Sequence, residues 1–210
     1  LDAPIALQAD LSLDMGSIKE EFIYRTIGYS TTACTITLLE TILSNNKELE
    51  EKGIDKKDQD KVREYFKELG IEERIQEFDI SSATVELAAL AVGCEPAHIA
   101  KTMSFLQGDN AILIVTAGDA KIDNKKYKAH FHQKAKMIPW DDVENYIGHA
   151  PGGVCPFQVK DGVTTYLDIS LKRFETVYPA AGSDNSAVAL SINELEKYSS
   201  SIGWIDVCKY

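Results

Sequence analysis

The stretch Gly148-His149-Ala150-Pro151-Gly152-Gly153-Val154-Cys155-Pro156-Phe157 is where this chain can do chemistry with main-chain groups. Glycine admits positive φ and close backbone approach, while proline fixes φ and removes a donor, so neither a helix nor a regular strand runs through it. The result is a shaped loop whose Gly152 and Gly153 amides can face a carbonyl or a developing oxyanion. By composition alone such a loop is more often an ordinary connection. Lys101 is a second candidate, at the start of an extended run. A lysine there is usually a solvated edge charge. Pointed inward toward the loop, it supplies a cation for a phosphate, a carboxyl or an oxyanion. Cys155 would need a neighbouring base to act as a nucleophile, and the sequence identifies none beside it, so a packing role is the commoner reading.

A third feature is electrostatic. Lys121, Lys125, Lys126, Lys128, Lys134 and Lys136, with His130 and His132, form a basic stretch interrupted only by Asp123. It reads either as a solvated helix face or as a patch for a few phosphates of an RNA end. His130 and His132 are two residues apart, which does not match the i, i+4 spacing of a helical zinc motif, and no metal or cofactor is expected. Dinucleotide-binding, phosphate-loop and serine-elbow patterns are missing from the sequence.

Composition narrows the class. A chain of 210 residues supports one sizeable core with or without a small extension. The net charge of −11 argues against a protein that coats nucleic acid or anionic membrane, though it permits a local basic patch. Cys34, Cys94, Cys155 and Cys208 are scattered without a CxxC pair, as expected of reduced thiols in a cytoplasmic protein. No apolar run reaches the ~18 residues of a membrane-spanning helix. Leu1–Asp14 lacks the pattern of a signal peptide.

These candidates need elements to position them. Residues 1–59 read as a separate N-terminal extension, helical or partly disordered, with a charged linker at 55–60. Residues 60–210 read as the main domain. Asp60 is expected to cap a helix with Val62, Tyr65, Phe66 and Leu69 on one face, ended by Gly70. A strand is expected over 74–79. A helix over 83–92 is capped by Ser81 or Ser82 and stopped by Gly93, and Pro96 opens a short turn. Residues 102–106 and 111–116 form a hairpin, its second strand apolar throughout. A helix covers 123–134, a short strand lies near 136–138, and a helix covers 139–147. Strands at 157–159 and 164–169 are expected to form another hairpin. Further strands are expected at 175–179, 187–190 and 204–207, and Ser191-Ile192-Asn193-Glu194 is a capping box for a helix to Tyr198. The fold class is α+β, a mixed, mostly antiparallel curved sheet or barrel-like core flanked by helices.

Taken in order, Ile99-Ala100-Lys101-Thr102, the apolar strand, Ile122-Asp123-Asn124-Lys125-Lys126, the loop Gly148–Phe157, Tyr166-Leu167-Asp168-Ile169-Ser170-Leu171 and Ala181-Gly182-Ser183-Asp184-Asn185 resemble the YbaK/EbsC family, which includes free-standing relatives of the bacterial prolyl-tRNA synthetase editing domain. The resemblance covers about residues 60–205. It implies hydrolysis of mischarged aminoacyl-tRNA in trans, with Cys- or Ala-tRNA(Pro) as the typical substrate. It implies Lys101, Gly152 and Gly153 as catalytic residues. Phe78, Thr102, Val154, Cys155, Pro156, Asp168, Gly182 and Ser183 are implied as substrate-binding. Phe78 stands where some relatives carry tyrosine. Many relatives have serine in place of Cys155 and glycine in place of Gln158.

The implied chemistry needs little machinery. An aminoacyl ester is already activated, so positioning, water and oxyanion stabilisation suffice, with the RNA's own ribose hydroxyl helping to activate the water. The expected partners are aminoacyl-tRNA, with Lys121, Lys125, Lys126 and Lys128 as RNA-binding residues, and a prolyl-tRNA synthetase; the oligomeric state is not specified. Two alternatives stay open: a non-catalytic module that binds a tRNA end or small ligand, and a synthetase-associated interaction protein that docks through its N-terminal extension.

Overall fold

The computed structural model describes residues 57–79 and 81–210. The expected N-terminal extension lies outside the described residues except for its last three positions, which are helical. The first described helix, α1, covers 57–68. Asp60 therefore lies inside a helix and does not cap one. Val62 and Phe66 are fully buried on the inner face of α1. Burial of a phenylalanine side chain is worth about 2–3 kcal/mol, enough to bind this helix to the core.

A 3₁₀ turn, Glu72–Arg74, leads into β1 (Ile75–Glu77). Helix α2 (Val85–Val92) is capped by the Thr84 hydroxyl, which accepts from the Leu87 amide. Ser81 and Ser82, the expected caps, instead bond Asp184 across more than 100 residues of sequence. A proline-led 3₁₀ turn (Pro96–His98) then opens β2 (Ile99–Gln107), which turns back into β3 (Asn110–Ala117). After β4 (Lys121–Ile122), Asp123 caps α3 (Asn124–Phe131) by accepting from the Lys125 and Lys126 amides. The segment expected as a strand near 136–138 makes a single bridge, Met137 to Phe105. The helix expected over 139–147 divides into a 3₁₀ turn (Trp140–Asp142) and α4 (Val143–Ile147).

The expected hairpin of 157–159 with 164–169 does not form. Instead β5 (Thr164–Asp168) lies parallel to β3. A 3₁₀ turn follows (Ile169–Arg173), then β6 (Thr176–Pro179), β7 (Ser186–Val188) and β8 (Leu190–Ser191). Helix α5 (Ile192–Tyr198) starts on the expected capping box, with Ser191 and Glu194 bonded reciprocally. Two short strands, β9 (Trp204–Ile205) and β10 (Cys208–Lys209), complete the chain.

The fold is α+β around a curled six-stranded mixed sheet, in the order β8-β6-β2-β3-β5-β9. Pairs β2–β3 and β6–β8 are antiparallel, while β2–β6, β3–β5 and β5–β9 are parallel. Two-stranded ribbons, β1–β7 and β4–β10, close its flanks. The β2–β3 register is unbroken from Ala100↔Ala117 to Gln107↔Asn110. Side chains along β2 therefore alternate strictly between the two faces. Phe105 faces α3, its ring 5.4 Å from Tyr127. Leu106 faces the other way, toward Leu113, Ile147, Val154 and Val159. That alternation puts Lys101 and Thr102 on opposite faces of β2.

Candidate functional site

The Gly/Pro loop lies between α4 and β5 and is held by its own groups and by two distant segments. His149 is fully buried, and its Nε2 lies 2.7 Å from the Phe157 carbonyl oxygen. A carbonyl only accepts, so Nε2 carries the proton and donates across the loop. The Gly153 amide donates to the Ala150 carbonyl at 3.1 Å, which folds the tip into a turn. At its far end Phe157 packs edge-on to Phe66 of α1, with ring centroids 4.8 Å apart.

Gly153 lies against the 182–185 turn. A Cβ there would fall 2.9 Å from the Ser183 Cα and 3.0 Å from the Gly182 carbonyl oxygen. Only a residue without a side chain lets the two backbones meet so closely. Gly152 is opposite Asp184. Within the turn, the Ser183 hydroxyl is within hydrogen-bond reach of Ser186 Oγ at 2.7 Å and Asn185 Oδ1 at 2.9 Å. Asn185 in turn fixes Phe78. The Phe78 amide donates to the Asn185 carbonyl at 2.8 Å, and the Asn185 amide Nδ2 donates to the Phe78 carbonyl at 3.0 Å. The structure thus brings Phe78, Gly152, Gly153, Gly182 and Ser183 into one contiguous backbone cluster, with Val154 packed on the sheet behind it.

Three expectations for the site change on contact with the geometry. The Gly153 amide, expected to face an oxyanion, is engaged by Ala150 inside the loop. The Gly152 amide has no hydrogen-bond partner among the described residues. Cys155 does have a histidine beside it, with Sγ 3.7 Å from His149 Nε2, but that nitrogen already carries a proton and cannot accept another. Burial pushes the Cys155 thiol up to about 12, so it is a packing thiol and not a nucleophile. Asp168 is fully buried and both of its oxygens serve the fold. Oδ1 accepts from the Ser170 amide and Oδ2 from the Val207 amide, each at 2.9 Å.

Lys101 lies on the same β2 face as Phe105, opposite the face on which Val154 packs. Its ammonium donates to the Ala120 carbonyl at 2.8 Å and the Gly118 carbonyl at 3.3 Å. Burial lowers its pKa below the usual lysine value, an effect partly offset by Cys208 and Asp119. The Lys101 ammonium is thus held by two carbonyls at the β3–β4 connection and makes no hydrogen bond to the loop. Ala100 pairs with Pro179, so Lys101 and the approach to the Gly182 turn leave the same rung of neighbouring strands. The Thr102 hydroxyl, on the Val154 side, is buried without a hydrogen-bond partner.

The basic stretch divides as well. Lys126 is committed to the fold, donating to Asp206 at 2.7 Å and the Cys208 carbonyl at 2.8 Å. Lys121, Lys125 and Lys128 are exposed. Lys121 stands directly across the β4–β10 ribbon from Lys209, a partner 88 positions away that the local charge pattern could not reveal. Like charges placed opposite one another are destabilising unless an anion or solvent screens them. A shallow cavity of about 460 Å³, lined by Lys172, Phe174, Glu175, Ser191, Ile192 and Trp204 among others, shares no residue with the loop cluster or the lysines.

Comparison with known proteins bears on the family and the fold. Residues 81–198 match the model of the aminoacyl-tRNA editing domain. The chain is 52% identical over 149 residues to the uncharacterized protein YwhH of Bacillus subtilis (strain 168), a match that spans 70% of this chain and 95% of that protein. It is 30% identical over 95 residues to the proline–tRNA ligase of Limosilactobacillus fermentum (strain NBRC 3956 / LMG 18251), covering 42% of this chain and 17% of the ligase. The fold matches the crystal structure of a candidate trans-editing enzyme for prolyl tRNA synthetase, with a TM-score of 0.59 and 25% identity over 65% of this chain and 86% of that one. With the resemblance read from the sequence, the half-barrel fold and these matches in agreement, the chain belongs to the aminoacyl-tRNA editing domain family.

Proposed function

We propose that this protein is an aminoacyl-tRNA deacylase that acts in trans on mischarged tRNA(Pro), with cysteine or alanine as the amino acid removed. The observation that carries this reading is the contact of the Gly152-Gly153 backbone with the Gly182-Ser183 turn, since it assembles the residues expected to grip an aminoacyl ester. In the reaction, water adds to the ester carbonyl and the bond from that carbon to the ribose oxygen breaks. The amino acid leaves as a carboxylate, and the ribose oxygen takes up a proton. The RNA's own neighbouring hydroxyl assists the water, so the protein's task is to hold the ester and exclude the cognate amino acid by shape. Discrimination by a small apolar pocket is worth about 1–3 kcal/mol per methylene, the range in which a second, hydrolytic sieve is useful.

For Lys101 we favour one of its two roles: its ammonium lies beside the Ala120 and Gly118 carbonyls, next to Lys121, which supports a contact with a phosphate of the RNA end. Lys121, Lys125 and Lys128, with Lys209, extend that contact along the RNA backbone, while Lys126 contributes to the fold. The acidic remainder of the chain makes a synthetase partner useful for capturing tRNA.

The test is a panel of tRNA(Pro) charged with Cys, Ala, Ser or Pro, incubated with the wild type and with Lys101→Ala. The expected outcome is hydrolysis of a mischarged species with the Pro-charged species spared. Lys101→Ala should lower kcat/KM by about ten- to a hundredfold, the value of one charge-assisted contact. Binding of the charged RNA without turnover by the wild type would identify a non-catalytic module instead.

A further inference from the structure

Asp58 lies in α1, far outside the loop and the turn in sequence, yet it touches both. It is 7% exposed. Its Oδ2 accepts the Ala150 amide at 2.7 Å, a charge-assisted bond from a buried donor. Its own carbonyl oxygen would be 2.7 Å from a Cβ at Gly182, whose φ of +91° is open to glycine. One residue of α1 therefore bears on the Gly/Pro loop through its side chain and on the Gly182 turn through its backbone. The contact between Gly153 and the turn closes the ring. Lys61, one turn further along α1, reinforces it. Its ammonium donates to the Gly148 carbonyl at 2.9 Å and lies 3.8 Å from Asp58 Oδ1, which partly neutralises the buried carboxylate. His149 Nδ1, buried and without a hydrogen-bond partner, is 4.0 Å from Asp58 Oδ2, too far to share a bond.

We infer that Asp58 is a positioning residue of the editing site: by holding the Ala150 amide while its backbone seats Gly182, it sets the spacing between the two segments that receive the aminoacyl group. The inference rests on the ester-gripping reading of the loop. Removing the carboxylate orphans a buried amide at the loop's entry and frees the loop to move against the turn. The sieve loosens first, because discrimination depends on that spacing more directly than ester hydrolysis does. Asparagine at the same position keeps an acceptor of the same reach.

The experiment compares the full-length wild type, Asp58→Ala and Asp58→Asn in the charged-tRNA panel and in amide hydrogen exchange. Asp58→Ala is expected to accelerate exchange in residues 148–157 by about tenfold or more, with β3 amides as slow as in the wild type. It is also expected to lower the ratio of mischarged to Pro-charged hydrolysis by a similar factor, and Asp58→Asn is expected to restore most of both. Wild-type exchange over 148–157 in Asp58→Ala overturns the inference. So does a loss of protection spread equally over β3 in both variants, which marks a general structural role. So does an unchanged discrimination ratio in an active enzyme. A wild type that hydrolyses no ester removes the deacylase reading itself, and in that case the exchange measurement alone decides whether Asp58 positions the loop.

Discussion

Two regions of the molecule treat their candidate site residues in opposite ways. At the Gly/Pro loop, backbone meets backbone. Gly153 touches the Ser183 segment and Gly182 touches α1, and the Asp58–Lys61 pair of α1 holds the loop through its main chain. Around β5 and the β4–β10 ribbon, charged side chains dominate, and most are consumed by the fold. Asp168 bonds two amides, Lys126 bonds Asp206 and a carbonyl, and Arg173 pairs with Asp119. Residues that form a single set along the sequence thus fall into a glycine-built grip and a charged frame. A buried carboxylate that accepts from two buried amides contributes stability. A glycine that allows two backbones to touch contributes shape and little stability. Chemical type alone does not separate the two roles, because reactive-looking side chains are also the best internal hydrogen-bonding groups.

The strongest way to break this contrast is Asp168→Ala. Two buried amides lose their acceptor, at about 1–3 kcal/mol each, so a destabilisation of about 3–5 kcal/mol is expected in urea or thermal melts. Asp168→Asn, which retains one acceptor oxygen, should lose about half as much. If Asp168→Ala melts like the wild type but is inactive, the residue belongs to the grip and the division is wrong. Gly153→Ala probes the other region. Its Cβ would meet main-chain atoms that cannot swing aside, so the loop must shift. A loss of about 1–3 kcal/mol is expected, with a larger proportional loss of editing than of stability.

Acid titration sharpens the frame side. The Ser191 amide, and then Arg74, hold the Glu194 carboxyl below its ordinary value. A depressed folded-state pKa stabilises the protein above the unfolded value near 4.3 and loses that contribution as pH falls through the folded one. Melting temperature should therefore decline from about pH 5 downward, and Glu194→Gln should flatten that part of the profile. The Arg173 guanidinium does the same for Asp119, so some acid dependence should survive in the variant. The smallest expected effect is at Gln158, which has φ of +50°. Glycine occupies that left-handed region without strain. Gln158→Gly should raise stability by about 0.5–1 kcal/mol, with the side-chain loss costing little because the position is exposed.

Much of the domain's local structure was legible in the chain. The Ser191–Glu194 capping box, the stops at Gly70 and Gly93, and the apolar run 111–115 of β3 all stand where their residue types place them. The loop, Phe78 and the Gly182 turn were legible as candidates, and the fold brings them together. What was not legible depends on partners remote in sequence. Thr84 caps α2 because Ser81 and Ser82 are drawn to Asp184. Residues 157–159 pair with no strand, because β5 takes its place parallel to β3. Asp58 carries no local sign of its role, since a carboxylate near the start of a charged helix is what a solvated residue also looks like.

The sequence by itself determined which segments are helical, where Gly70 and Gly93 stop two of them, which strand is buried on both sides, and which loop cannot be regular. Those outcomes follow from φ preferences, capping bonds and hydrophobic period, all set within a few residues. Only the tertiary structure decided that the Lys101 ammonium is held by two carbonyls, that Asp168 and Lys126 serve the frame, and that Asp58 bears on the loop and the turn. The physical reason is strand phase and long-range pairing. A shift of one residue in register turns a side chain to the other face, and the register is set by strands and helices dozens of positions away.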